Sequence, residues 1–358
     1  TRVPLGRRLV PGNAWDDYLR IGSPSMSKNL SWAMSGLLAN ANPEERKSLI
    51  DRNAGPIELV RSGVRRESAR PPVPDKPPGQ NPILGHPSLP IQELVSVCVA
   101  RAQLEADRGN LREALDLLVD VYLLGRDMAG ARGMKVVPWG FQPMETAIRE
   151  MDQLSRKLDP AMLPDLERQL SLLDEYFPDT SGELLDRLLH LGELLVQEEM
   201  EDQVFLQFAE ERVRRHWRYF FSTRLEAATC FAAGDAFIRQ ALALKDVPRA
   251  RAETESSALR TRLEALQDPV LTYMLGSLDD FQARQIRTKL RMVRMAVHYR
   301  ATGALAPLAN DQGGPIRTRV TEESLQIWYQ EPSESDGPEP PEAPTGREVF
   351  RIDVPIRK

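Results

Sequence analysis

The sequence predicts a mainly α protein, built of stacked antiparallel helix hairpins, with a small antiparallel β segment at the C-terminal end. Three observations carry that prediction. Apolar residues recur with a 3.6-residue period through most of 91–303. The breaks between periodic stretches are short and marked by Gly, Pro, Asp and Asn. Beyond 304 the period changes to two.

Taken in order, residues 1–69 carry short helical patterns at 13–21, 27–41 and 43–53. Residues 70–90, RPPVPDKPPGQNPILGHPSLP, follow. Proline at this density removes amide donors and fixes φ, which predicts a connector or an extended surface strap. The helical-hairpin region then spans 91–303. Its first helix places Ile91, Leu94, Val95, Cys98 and Ala102 in one apolar stripe. That helix stops at Gly109. Asn110 is placed to cap the next helix, with Glu113 in capping-box position. Leu111, Ala114, Leu115, Leu118 and Tyr122 form the next stripe. So short a turn requires two antiparallel helices that share a core. Further helices are expected at 144–158, 160–176, 182–197, 203–221, 224–244, 250–266 and 278–302.

Residues 304–358 form the tail. Leu325, Ile327 and Tyr329 alternate against Trp328, and Val349, Arg351 and Asp353 against Phe350, Ile352 and Val354, so both stretches read as strands. The Pro- and acid-rich segment between them, 333–346, has the composition of a disordered loop.

Composition narrows the function. Hydrophobic residues make up 41 % of the 358, enough for a real core. A net charge of -5 argues against a general nucleic-acid binder and against adhesion to anionic lipid. Two cysteines, Cys98 and Cys230, exclude a disulfide-stapled small fold. No apolar run is long enough to span a bilayer. A chain beginning at Thr1 rather than Met is expected to have lost something from its N-terminus, and a signal peptide, a membrane anchor or an artificial boundary would each look like this; such an anchor is the one membrane route the sequence offers.

No catalytic set emerges. Ser25 and Lys28 match S-x-x-K, the spacing that lets a lysine activate a serine, but its usual companion motifs are absent. Ser25 also reads as the start of a short helix after Pro24. The four histidines, His86, His190, His216 and His298, lack metal-ligand spacing. One weak cluster, Asp186, His190 and Glu193, fits a single helix face and would belong to a metal-dependent or other hydrolase. The run Glu198, Glu199, Glu201 and Asp202 reads more simply as a solvated junction. No phosphate-cradling loop is present and no cofactor is indicated.

Two windows suit a protein partner. In 211–224, Arg212 and Arg215 interleave with Trp217 and Tyr219, a combination found at interface anchors. Core-filling aromatics with outward arginines would look the same. In the last long helix Arg284, Arg287, Arg291 and Arg294 form a basic stripe that could dock an acidic partner or lie solvated.

Residues 104–118, with GNLREAL at the turn, resemble one tetratricopeptide-type helix pair, although no second copy appears at the required period. Together with MAVHYRATGALAPLA before the β-tail, this stretch resembles uncharacterised bacterial helical-hairpin proteins that are exported or tethered outside the cytoplasm. That resemblance implies an extracytoplasmic address and no known reaction. The expectation is a scaffold or protein-interaction protein, working with a partner protein or by self-assembly.

Overall fold

In a computed structural model of the chain, the described residues are 3, 5–30, 34–70, 91–130, 136–178, 224–244, 247, 249–265, 281–306, 308, 316–321, 324–330 and 348–355. They are mainly helical, with a small antiparallel sheet near the C-terminus, as the periodicities predict. The expected connector after Arg70, the helices at 182–197 and 203–221, and the loop 333–346 lie outside the described residues.

β1 (Val10–Asn13) leads directly into α1 (Ala14–Ile21). Then come α2 (Pro24–Ser27), α3 (Met34–Asn40), α4 (Pro43–Arg52) and α5 (Ala54–Val64). β2 (Arg66–Ser68) pairs parallel with β1, Val10 opposite Arg66 and Asn13 opposite Ser68. α4 starts on a capping box. The Asn42 side chain accepts from the Glu45 amide at 3.0 Å, and the Glu45 carboxylate accepts from the Asn42 amide at 3.0 Å.

α6 (Ile91–Asp107) and α7 (Leu111–Ala129) form the hairpin read at 104–118. The turn is a Schellman motif. Gly109 takes φ +84° and donates to the Ala106 carbonyl, and the Asn110 amide donates to the Glu105 carbonyl at 2.8 Å. The capping box expected at Asn110 does not form. Its side chain turns back to donate to the Glu105 carboxylate at 2.8 Å, and Glu113 is held by Arg61 of α5 instead.

α8 (Val136–Ser155) begins eight residues before the expected start and runs through Pro143, which has no amide to give the helix ladder. Close packing on α7 supports that stretch. A Cβ on Gly125 would lie 2.8 Å from Met144 Cγ, and one on Gly140 would collide with the backbone of Ala129 and Gly125. Only glycine lets the two helices approach this closely.

A 3-10 turn at Pro160–Met162, capped by Asp159, leads into α9 (Leu163–Glu175). α10 (Arg224–Ala243), α11 (Arg249–Ala265) and α12 (Phe281–Thr302) follow. β3 (Arg317–Val320), β4 (Ser324–Gln330) and β5 (Glu348–Pro355) make an antiparallel sheet in the order β3-β4-β5.

One continuous core joins residues from the N-terminal helices, the hairpins and the tail. Trp15, Tyr18, Leu94, Leu124, Met144, Leu170, Val293, Ile327 and Val354 all belong to it. α7 runs through its middle. The sequence shows one stripe on α7, yet Leu117, Val119 and Val121 off that stripe are also buried. The reason is that α5, α6 and α8 cover different faces of α7.

Candidate functional site

Polar chemistry inside this fold gathers on α7, α9 and α12. Asp120 is among the most enclosed charged groups of the described residues, only 1 % exposed. Its position in LLVDVYLL, residues 117–124, the single acid in an apolar run, is the sequence signal that could have found it. Arg7, from the segment before β1, bonds to the Asp120 carboxylate with one nitrogen and to Asp116 Oδ1 at 2.6 Å with another. Arg61 Nε of α5 lies 3.6 Å from Asp120 Oδ2. Burial pushes the Asp120 carboxyl up to about 6, against the pull of Arg7, Arg61 and Arg65. Cys98 is enclosed too. Burial, and then the Asp120 charge, push its thiol up to about 12, so it is unreactive.

A second clamp centres on Asp174, near the end of α9. Arg287 Nε donates to Asp174 Oδ1 at 2.8 Å, and Arg291 Nε donates to both carboxylate oxygens at 3.0 Å. Arg294 Nη1 stands 3.9 Å from Oδ2. The Arg287 guanidinium also lies over the Phe177 ring, 5.6 Å from its centroid. Arg284 instead donates to the carbonyls of Leu244 and Val247, at 2.7 Å each, where α10 ends. The basic stripe of the sequence is therefore one helix face, as the spacing indicates. That face turns toward α9 and the α10–α11 turn rather than toward solvent.

Smaller ties repeat the pattern. The Tyr18 hydroxyl donates to buried Asp127 at 2.7 Å, joining α1 to α7. Arg66 Nε donates to Asp17 at 2.7 Å, and Ser62 donates to it at 3.0 Å. Burial raises the Asp17 carboxyl, but the Arg66 and Ser62 bonds outweigh it and hold the group below its ordinary value. Asp152 of α8 meets Arg300 of α12 at 3.3 Å, and burial lowers the Arg300 guanidinium from its ordinary value. His298 Nδ1 sits 3.0 Å from Glu167.

Ser25 and Lys28 are both exposed, at a four-residue helix, with the Ser25 hydroxyl 3.2 Å from that of Ser23. Arg212, Arg215, Trp217 and Tyr219, and likewise Asp186, His190 and Glu193, lie outside the described residues. Among the described residues no three His, Cys, Asp or Glu side chains are grouped to hold a metal. Among them, too, no helix is long and apolar enough to cross a membrane. An open groove of about 520 Å³ runs between α3 and α4, lined by Gly36, Leu37, Asn40, Leu49 and Arg52.

No family model matches this chain, and no curated protein or solved structure matches it.

Chemically, these clusters lock helices to one another. Asp17, Asp120, Asp127, Asp152 and Asp174 are each met by a guanidinium or a hydroxyl from another segment. An acid raised to about 6 is suited to proton transfer, and structural ion-pair networks raise acids as well. Asp120 is walled in by Arg7, α5 and α6, which favours the structural role.

Proposed function

We propose that this protein is a non-enzymatic scaffold or protein-interaction protein, and that it serves as a subunit of an extracytoplasmic assembly. The observation that supports this reading is the inward use of its charged groups. One of the two windows that the sequence offers for recognition, the stripe Arg284 to Arg294, closes on Asp174 and on backbone carbonyls. A body braced this way holds a fixed surface, which suits docking more than turnover. Stacked helix hairpins offer extended faces for such docking. The extracytoplasmic address rests on the resemblance of GNLREAL and the segment before the β-tail to exported helical-hairpin proteins.

Crosslinking in the native host, with mass-spectrometric mapping of the linked lysines, tests the reading. Reproducible links from this protein to one partner, or between its own copies, are expected. A protein that gives no links and turns over a substrate would sink the proposal.

A further inference from the structure

The C-terminal sheet ends, among the described residues, at β3. Its two faces differ. Leu325, Ile327, Ile352 and Val354 on one face are buried, and α12 packs beneath β4 and β5. Register puts Thr318 opposite Ile327 and Val320 opposite Leu325, so both belong to this apolar face. Yet Thr318 is exposed and Val320 is 59 % exposed. The cover of α12 stops one strand short.

The other face carries arginines around Trp328, which is itself buried at 5 % exposure. Arg317, Trp328 and Arg351 stand in one cross-strand row, and Arg319, Gln326 and Asp353 in the next. Arg351 pairs with Asp353 at 3.1 Å, and Arg319 is exposed. Any strand added beside β3 would set alternate side chains against Arg317 and Arg319 and the others against Thr318 and Val320.

We propose that the outer edge of β3 receives an extended segment of a partner protein in which acidic and apolar residues alternate. An acidic residue faces the exposed Arg319, the apolar ones extend the cover over Val320, and main-chain hydrogen bonds join the strands. Other occupants fit less well. A second copy pairing β3 to β3 sets Arg319 beside arginine in one register and against the apolar side in the other. The chain's own acidic segment carries Pro338, Pro340, Pro341 and Pro344, which lack the amides a ladder needs. The inference rests on the interaction-protein reading and names the partner's chemistry.

The test uses the full chain and two fluorescent synthetic peptides, Thr-Glu-Val-Glu-Thr-Glu-Val and its lysine counterpart, followed by anisotropy at low and high salt. The acidic peptide should bind and the lysine peptide should not. Arg319→Glu should weaken the acidic peptide by about tenfold or more and admit the lysine peptide. A proline at the centre of the acidic peptide should abolish binding. Arg319 is exposed, so its variants are expected to fold, and Arg319→Gln should give the intermediate loss. No binding at millimolar peptide, or binding unchanged by Arg319→Glu, overturns the inference and leaves β3 as a charge-blunted edge. A dimer formed without peptide, which Arg319→Glu strengthens by removing the arginine–arginine clash, overturns it in favour of self-pairing. If the peptides fail while the protein still makes a stoichiometric complex through another surface, the inference falls and the interaction-protein reading stands.

Discussion

At Asp120, burial and ion pairing pull in opposite directions, and the balance predicts a pH dependence. The folded carboxyl keeps its proton up to about pH 6, against an ordinary value of 3.8. Between those values the folded state binds a proton that the unfolded chain releases. Its contribution to stability is therefore fully present below about 3.8 and falls as pH rises, by up to about 1.4 kcal/mol per pH unit, levelling above about 6. Asp17 and Glu105 act in the reverse sense. The Glu105 carboxyl is held low by its bond from Asn110, and Asp17 by Arg66 and Ser62 against burial. Their contributions are present above the ordinary carboxylate values and are lost as pH falls through the depressed ones. Asp120→Asn should thus flatten the decline between pH 4 and 6 and leave the acid limb below pH 4 in place. Urea unfolding across pH 3 to 7 reads this directly, and a variant with the wild-type decline would refute the assignment. At this scale the sequence was only partly legible. The lone Asp120 in an apolar run advertises burial, but its partner Arg7 lies 113 residues away and carries no local signal.

Among the elements, two tests separate packing from propensity. Gly140→Ala adds a methyl where the α7 backbone already touches, and it should destabilise by about 1–3 kcal/mol despite the better helix propensity of alanine. Gly36→Ala in α3 meets nothing within 4 Å, so propensity alone acts and the protein should gain up to about 1 kcal/mol. Opposite signs in thermal or urea unfolding are expected, and equal signs would contradict the close α7–α8 contact. For the α9–α12 contact, Asp174→Ala leaves Arg287 and Arg291 without their shared carboxylate. The loss should be about 3 kcal/mol, and amide-exchange protection should fall in both helices. A change under about 0.5 kcal/mol would mean the clamp is solvated. Helices with strong stripes, such as α6, were legible to within a residue or two. Others were not, for physical reasons. No helix was expected over 54–64, where α5 forms with Gly55 and Pro56 in its first turn, a place that proline fits. The start of α8 was hidden because α7 supports a proline-bearing turn that would fray alone. β1, β2 and β3 span three or four residues each, too short for alternation to register, and β1–β2 pairing joins segments over fifty residues apart.

For the whole molecule, helical content and the terminal antiparallel sheet were legible because both periodicities are local. The joining of the N-terminal helices, hairpins and tail in one core was not, since Trp15, Leu124 and Val354 meet only once the chain is folded. The basic stripe shows the same limit. Spacing gives the shared face of Arg287, Arg291 and Arg294, and only the fold shows that the face meets Asp174. On the proposed scaffold reading, the exposed faces of the described residues are the surfaces that meet a partner. A native mass spectrum of the protein purified from its own host, without chelator, tests that claim most directly. The account predicts a discrete complex, with a partner or with further copies, and no stoichiometric ion. A monomer carrying one bound metal ion or small molecule would contradict it.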